Sequence, residues 1–140
     1  MDTRLAALAS HIQMWRESGI IDYWMHVGYM GGELHRFGDH DIAVKEGQLW
    51  RRWEGSWRQV LPGKDFWLFS VAGAFAWARD LIGNEAIDED ALTILFDEEA
   101  GYIKLIRVAT GHRDVANFTF EVKRFGRGVH PDLMGDNDAT

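Results

Sequence analysis

Thr93-Ile94-Leu95-Phe96-Asp97-Glu98-Glu99-Ala100-Gly101-Tyr102-Ile103-Lys104-Leu105 is the stretch that decides the fold class. Two runs of β-branched, aromatic and leucine residues flank an acidic loop that ends in glycine. This composition is that of a hairpin with Gly101 at the left-handed position of a bulged turn. The first half of the chain repeats the pattern in Ile42-Ala43-Val44-Lys45-Glu46-Gly47-Gln48-Leu49-Trp50, two short strands about Glu46-Gly47. Each hairpin follows a helix-like stretch that carries aromatic residues: Leu8, Ile12 and Trp15 in one half, Phe75, Trp77, Ala78 and Leu81 in the other. A duplicated αβββ-like unit of this kind predicts an α+β domain. Its expected form is a curved antiparallel sheet of about six to eight strands with two helices on one face.

Working outward, Leu5, Leu8, Ile12 and Trp15 form one stripe at helical spacing over residues 3–18. Asp2 or Thr3 supplies the cap and Ser18-Gly19 the stop. Residues 22–30 read as a strand with Tyr23, Met25, Val27 and Tyr29 on one face and Trp24, His26, Gly28 and Met30 on the other. Gly31-Gly32 predicts a turn into a short edge strand over 33–37, and Gly38-Asp39-His40-Asp41 a second turn. Residues 67–82 read as the second helix, with Ser70 as a possible cap. Phe118, Phe120 and Val122 alternate with Thr119, Glu121 and Lys123, a half-buried strand. The expected organisation is one domain over 1–125 and a flexible tail over 126–140, which is rich in glycine and acidic residues.

Composition narrows the function classes. A chain of 140 residues with 46% hydrophobic content buries roughly 70% of its unfolded surface and needs no covalent staples. The formal net charge of −7 argues against nucleic acid or an anionic membrane as the main partner, because both demand clustered cations. The absence of cysteine removes disulfides, thiolate chemistry and zinc–sulfur sites. No stretch approaches the ~20 apolar residues of a membrane span, and the first residues lack the continuous apolar core of a signal peptide. Taken as written, the chain is expected in the cytoplasm; trimming of a leader would make it an exported protein instead. No residue pattern calls for a cofactor.

Seven Trp and eight Phe exceed what a small core needs. Trp24, Trp50, Trp53, Trp57 and Trp67 are interleaved with Arg51, Arg52 and Arg58. On a strand, Trp50 and Arg52 face one way while Arg51 and Trp53 face the other. Guanidinium groups stack on indole faces and fork onto carboxylates, so such a surface suits a peptide, an acidic partner or a small apolar ligand. The ligand-binding candidates are therefore Trp24, His26, Trp50, Arg52 and Trp53, in a non-enzymatic binding or interaction module, with pairing of two copies through a sheet edge as a further possibility. The plainer reading makes the Trp residues a cover for the sheet, shielded by Arg stems. The alternative from another class is a small metal-dependent or acid–base enzyme. It rests on His26, His35 and His40 with Asp39 and Asp41, and on His112 beside Asp114. Their spacing matches no standard metal signature, and no serine lies in a nucleophile elbow. The acidic run from Glu85 to Glu99 lacks the order of a calcium loop.

The order of these signposts resembles an uncharacterised bacterial family, the domain-of-unknown-function family 6174. Trp15 and Tyr23 stand where that pattern has a helix Trp and a strand-opening Tyr. Val44-Lys45-Glu46-Gly47-Gln48-Leu49 stands for its first hairpin, and Phe75 to Ile82 for its second helix. Leu95-Phe96-Asp97-Glu98-Glu99-Ala100-Gly101-Tyr102 matches its most specific piece, with Asp114 and residues 118–125 closing the likeness. The resemblance covers residues 8–125 and implies the α+β fold. Members of the family are commonly exported or lipid-anchored, and many carry a Cys pair after the first strand, where this chain has Gly and His. The family has no established activity.

Overall fold

The computed structural model describes residues 2–32, 37–63, 65–111 and 115–133. Helix α1 spans Thr3–Ser18; the Asp2 side chain accepts from the Arg4 amide at 2.8 Å, and Gly19 closes the helix in the left-handed region at φ 72°. Leu8 is buried, while Ile12 and Trp15 pack against the core. Leu5, expected in the same stripe, is 43% exposed.

The strands are β1 (Tyr23–Gly31), β2 (Gly38–Lys45), β3 (Gln48–Trp53), β4 (Ser56–Val60), β5 (Leu92–Phe96), β6 (Ile103–Val108) and β7 (Phe118–Arg127). They form one open seven-stranded antiparallel sheet in the order β4-β3-β2-β1-β7-β6-β5. The α+β class and the single sheet agree with the sequence reading. The two halves lay down their strands differently, however. The first begins at the centre of the sheet and runs outward for four strands; the second begins at the edge and runs inward for three. The repeat in the sequence is one of element types, without equivalent positions in the sheet.

Gly38–Asp41, expected as a turn, belongs to β2. Gly38, Asp39, His40 and Asp41 pair with Tyr29, Gly28, Val27 and His26 of β1. A long central partner strand outweighs the local turn preference of Gly and Asp. Residues 33–36 of the expected edge strand lie outside the described residues. Both tight hairpins of the first half turn through Glu-Gly with positive φ at each residue, 54° and 77° at Glu46-Gly47 and 51° and 82° at Glu54-Gly55. This geometry matches the twist of the flanking strands.

The second helical stretch divides. A 3₁₀ turn (Asp65–Phe69) precedes α2 (Val71–Ile82), whose cap, Ser70, accepts from the Gly73 amide at 3.0 Å. The Tyr23 hydroxyl accepts from the Val71 amide at 2.8 Å and so ties the start of α2 to the centre of the sheet. Both helices cover the face that carries Tyr23, Met25, Val27 and Tyr29. Phe69 stacks on Phe120 at 5.2 Å, Trp77 on Phe118 at 4.8 Å and Tyr102 on Phe125 at 4.3 Å. The Asp97–Tyr102 motif has local work in this packing. The Asp97 carboxylate accepts from the amides of Glu99 and Ala100, and at Gly101 a Cβ would stand 2.3 Å from the His11 carbonyl oxygen of α1. Only a glycine, at φ 93°, lets the helix dock there.

The chain stays ordered past the boundary expected at residue 125. Strand β7 runs to Arg127, and Leu133 is 2% exposed. Both lie within the stretch expected as a flexible tail from 126. The physical reason is an apolar anchor, Leu133, that composition alone hides among glycines and acids. Residues 134–140 lie outside the described residues. Among the described residues no helix is long and apolar enough to cross a membrane.

Burial pushes the Tyr102 phenol up to about 12, with the charges of Asp97 and Glu99 adding to the effect. Burial also raises Tyr23, against its hydrogen bond from the Val71 amide. Both therefore ionise later in the folded chain than in the unfolded one, where phenols titrate near ~10. The stability they confer is complete below about 10 and is lost as pH climbs toward about 12. The urea midpoint is expected to fall across that window, and Tyr102→Phe to make the fall shallower; an unchanged midpoint from pH 9 to 12 would contradict the burial of these phenols.

Candidate functional site

The face opposite the helices holds the candidate site. Strand alternation sets Trp24, His26 and Gly28 of β1, Asp39, Asp41 and Ala43 of β2, Trp50 and Arg52 of β3 and Trp57 of β4 on this one surface. Ala43 lies across from Trp24 on one side and Trp50 on the other, and its small side chain leaves both indoles room. On β7, Gly126 lies across from Trp24. A Cβ at Gly126 would stand 1.9 Å from the indole Cε2, so Trp24 lies flat over the bare backbone of β7. The Arg124 guanidinium sits 5.6 Å from the Trp24 ring centre.

A row of alternating charges crosses this face. Lys123 Nζ donates to Asp39 Oδ1 at 3.0 Å, and Asp39 Oδ2 lies 3.4 Å from His26 Nε2. His26 Nδ1 lies 2.7 Å from Asp41 Oδ1, and Asp41 Oδ2 lies 3.6 Å from Arg52 Nη1. The other Arg52 terminal nitrogen donates to Asp132. Only a doubly protonated imidazole donates to both of its carboxylate neighbours. The Lys123 ammonium, and then the His26 ring, hold the Asp39 carboxyl below the usual carboxylate range. Gly28 makes the Lys123–Asp39 bridge possible, since a Cβ there would meet Lys123 Cε at 2.8 Å.

Residues 128–133 fold back over the aromatic end of this face. Gly128, at φ 89°, turns the chain while its amide donates to the Asp22 carbonyl oxygen. The His130 ring packs 5.0 Å from Trp24 and 5.2 Å from Trp57, and Leu133 is buried against Ala43 and Trp57. The Trp50 and Trp57 indole N–H groups are buried there without a hydrogen-bond partner. Beside the segment opens a cleft of about 450 Å³, lined by Trp24, His26, Asp41, Arg52, Arg124 and His130 among others. Among the described residues Arg124 meets no carboxylate.

Of the five ligand-binding candidates, Trp24, His26, Trp50 and Arg52 come together here. Trp53 points to the helix side, as its parity with Arg51 requires, and is 46% exposed. Of the three histidines in the metal alternative, the described pair His26 and His40 do not converge. His40 also faces the helix side, 5.1 Å from Phe66 and 5.8 Å from Phe69, so it and His26 diverge across the sheet. His35, His112 and Asp114 lie outside the described residues, and among those described no group of three or more His, Asp or Glu side chains is placed to hold a metal. Sequence reading missed Lys123, Arg124, His130 and Asp132. The available signal was Gly126, a glycine inside an alternating strand, which marks close approach by another group.

No family model, no curated protein and no solved structure matches this chain. The likeness to family 6174 rests on its motifs alone.

Gly126→Ala is expected to lift Trp24 from β7 at a cost of roughly 1–3 kcal/mol, because the new methyl group and the indole compete for one space. Near-ultraviolet circular dichroism should change, and in a Trp24→Ala background the same substitution should cost little. Equal cost in both backgrounds would show that the indole does not lie on Gly126.

Proposed function

We propose that the protein is a non-enzymatic binding module whose outer sheet face takes a short peptide carrying a carboxylate and a ring. The supporting observation is that residues 130–133 of the chain itself already occupy that face. An imidazole lies against two indoles, a carboxylate meets Arg52 and a leucine is buried beside Ala43. Those contacts come from a helical turn, in which the Leu133 amide donates to the His130 carbonyl oxygen at 3.0 Å, and they describe the ligand that the surface suits: one flat side chain, one acid and one aliphatic group carried on a single turn. Arg124, without a carboxylate of its own among the described residues, adds capacity for a second acid. A short internal segment competes at an effective concentration in the millimolar range, so a partner displaces it only by offering better contacts.

The acid–base reading has one geometric support, the 2.7 Å contact of His26 with Asp41. Its other ring nitrogen faces Asp39 rather than the cleft, which leaves no nitrogen directed at a ligand. The resemblance to family 6174 belongs to this proposal as a statement about fold and adds no activity. Pairing of two copies through an open edge also remains part of it; Leu95 of edge strand β5 is 52% exposed.

The test is calorimetric titration with the capped peptide Val-His-Pro-Asp-Leu. Leu133→Ala, which loosens the internal segment, is expected to bind the peptide at millimolar concentration and more tightly than the unaltered chain. Adding Arg52→Ala should weaken that binding by about tenfold, as loss of a charge-assisted hydrogen bond does. A folded Leu133→Ala protein that takes up no peptide would overturn the proposal.

A further inference from the structure

The helix side of the β3–β4 hairpin carries a second feature that the outer face does not use. Arg51 of β3 and Arg58 of β4 are direct cross-strand partners. Like charges in that relation destabilise a sheet, and in a chain of net charge −7 an acidic neighbour would be easy to supply. Yet among the described residues neither guanidinium meets a carboxylate. The polar neighbour of Arg51 is His40, whose Nδ1 lies 3.4 Å from an Arg51 terminal nitrogen. The Arg51 guanidinium is held between two rings, 3.8 Å from the centre of Phe66 and 4.6 Å from that of Trp53. Its Nε is buried with no hydrogen-bond partner, and burial lowers its affinity for its own proton.

The surroundings are apolar and open. Trp53 is 46% exposed and Leu61 60% exposed. With Val60 and Phe66 they wall a groove of about 420 Å³ around the two arginines, within the size range of small-molecule sites. A planar cation clamped between rings has its donor fork fixed in advance, which lowers the ordering cost of binding an anion. A paired, partly desolvated cation set of this kind is stabilised most by a group that brings negative charge and apolar surface together.

We infer that the groove between Arg51, Arg58, Trp53 and Phe66 binds a small organic carboxylate with a flat apolar body. The carboxylate bridges the two guanidinium groups, and the apolar body lies along Trp53 and Leu61. The site is on the opposite side of the sheet from the peptide face and is independent of it.

The probe is 2-naphthoate, titrated into the full chain at neutral pH by calorimetry, with the arginine Nε–Hε resonances followed by NMR. Saturable binding is expected, with Arg51 resonance shifts. Arg58 is exposed, so Arg58→Ala should keep the fold and weaken binding by about tenfold or more. Arg107→Ala, which removes an exposed charge on β6, should leave binding unchanged. The uncharged 2-naphthylmethanol should bind about tenfold more weakly than the carboxylate. Inorganic phosphate alone should bind weakly, since it lacks the apolar body. Absence of saturable 2-naphthoate binding, equal affinities for Arg58→Ala and Arg107→Ala, or an alcohol that binds as tightly as the acid would each overturn the inference.

Discussion

Everything in this molecule depends on the pairing of β1 with β7, the first strand of the chain with the last. That ladder runs from Tyr23 opposite Arg127 to Gly31 opposite Phe118, with a register shift at His26/Val27. Each half by itself is a meander with one bare side strand; the β1–β7 contact turns the two into one seven-stranded sheet. It closes a loop of most of the chain, so its ordering cost falls early and is offset only when both helices cover the joined face. The apolar groups that offset it come from both halves: Tyr29 from the first, Phe69, Trp77, Phe118 and Phe120 from the second. The seam also has a mark on the other face, where Trp24 of β1 lies on Gly126 of β7.

The sheet that results has two unlike surfaces. Its helix side is an aromatic core except at the β3–β4 hairpin, where Arg51 and Arg58 line an open groove. Its outer side is an ordered row of charges ending in an aromatic patch, and the chain covers that patch with its own residues 128–133. Polar groups there are mostly matched among themselves, from Lys123 through Asp39, His26, Asp41 and Arg52 to Asp132. Such a row fixes geometry more than it adds stability, because its members are partly exposed to solvent. Among the described residues, the groups without a matching partner include Arg124 and the buried indole N–H groups of Trp50 and Trp57 on the outer side, and the arginine pair on the helix side. The two proposed binding sites are built around these groups.

Much of the fold was legible because local chemistry writes it plainly. Helix α1 begins at an Asp cap and ends at a left-handed glycine, and both residues stand in the sequence at the right distance from the apolar stripe. Alternation assigned side chains to faces within each strand, Trp24 with His26 over 22–30 and Trp50 with Arg52 on the later hairpin, and the pairing of β1, β2 and β3 brings the two sets onto one surface. Alternation also put Trp53 with Arg51 on the other face, a consequence that grouping residues by chemistry rather than by parity obscured. Parity does not say which strands are neighbours, so Arg124 and Gly126 could not be joined to Trp24. Gly38–Asp41 read as a turn because Gly and Asp favour turns locally, whereas the ladder to β1 is a long-range effect. The segment 128–133 read as a tail for a related reason: its one anchor, Leu133, gains its energy from Ala43 and Trp57, far away in sequence.

The central claim is that the outer aromatic face is built across the β1–β7 seam and is covered by the segment that follows it. Solution NMR tests this most directly, through nuclear Overhauser contacts from the His130 ring to the indoles of Trp24 and Trp57. Contacts to both rings are predicted, together with contacts between Leu133 and Ala43. A His130 ring with no such contacts and with the chemical shifts of an unstructured chain would contradict the account.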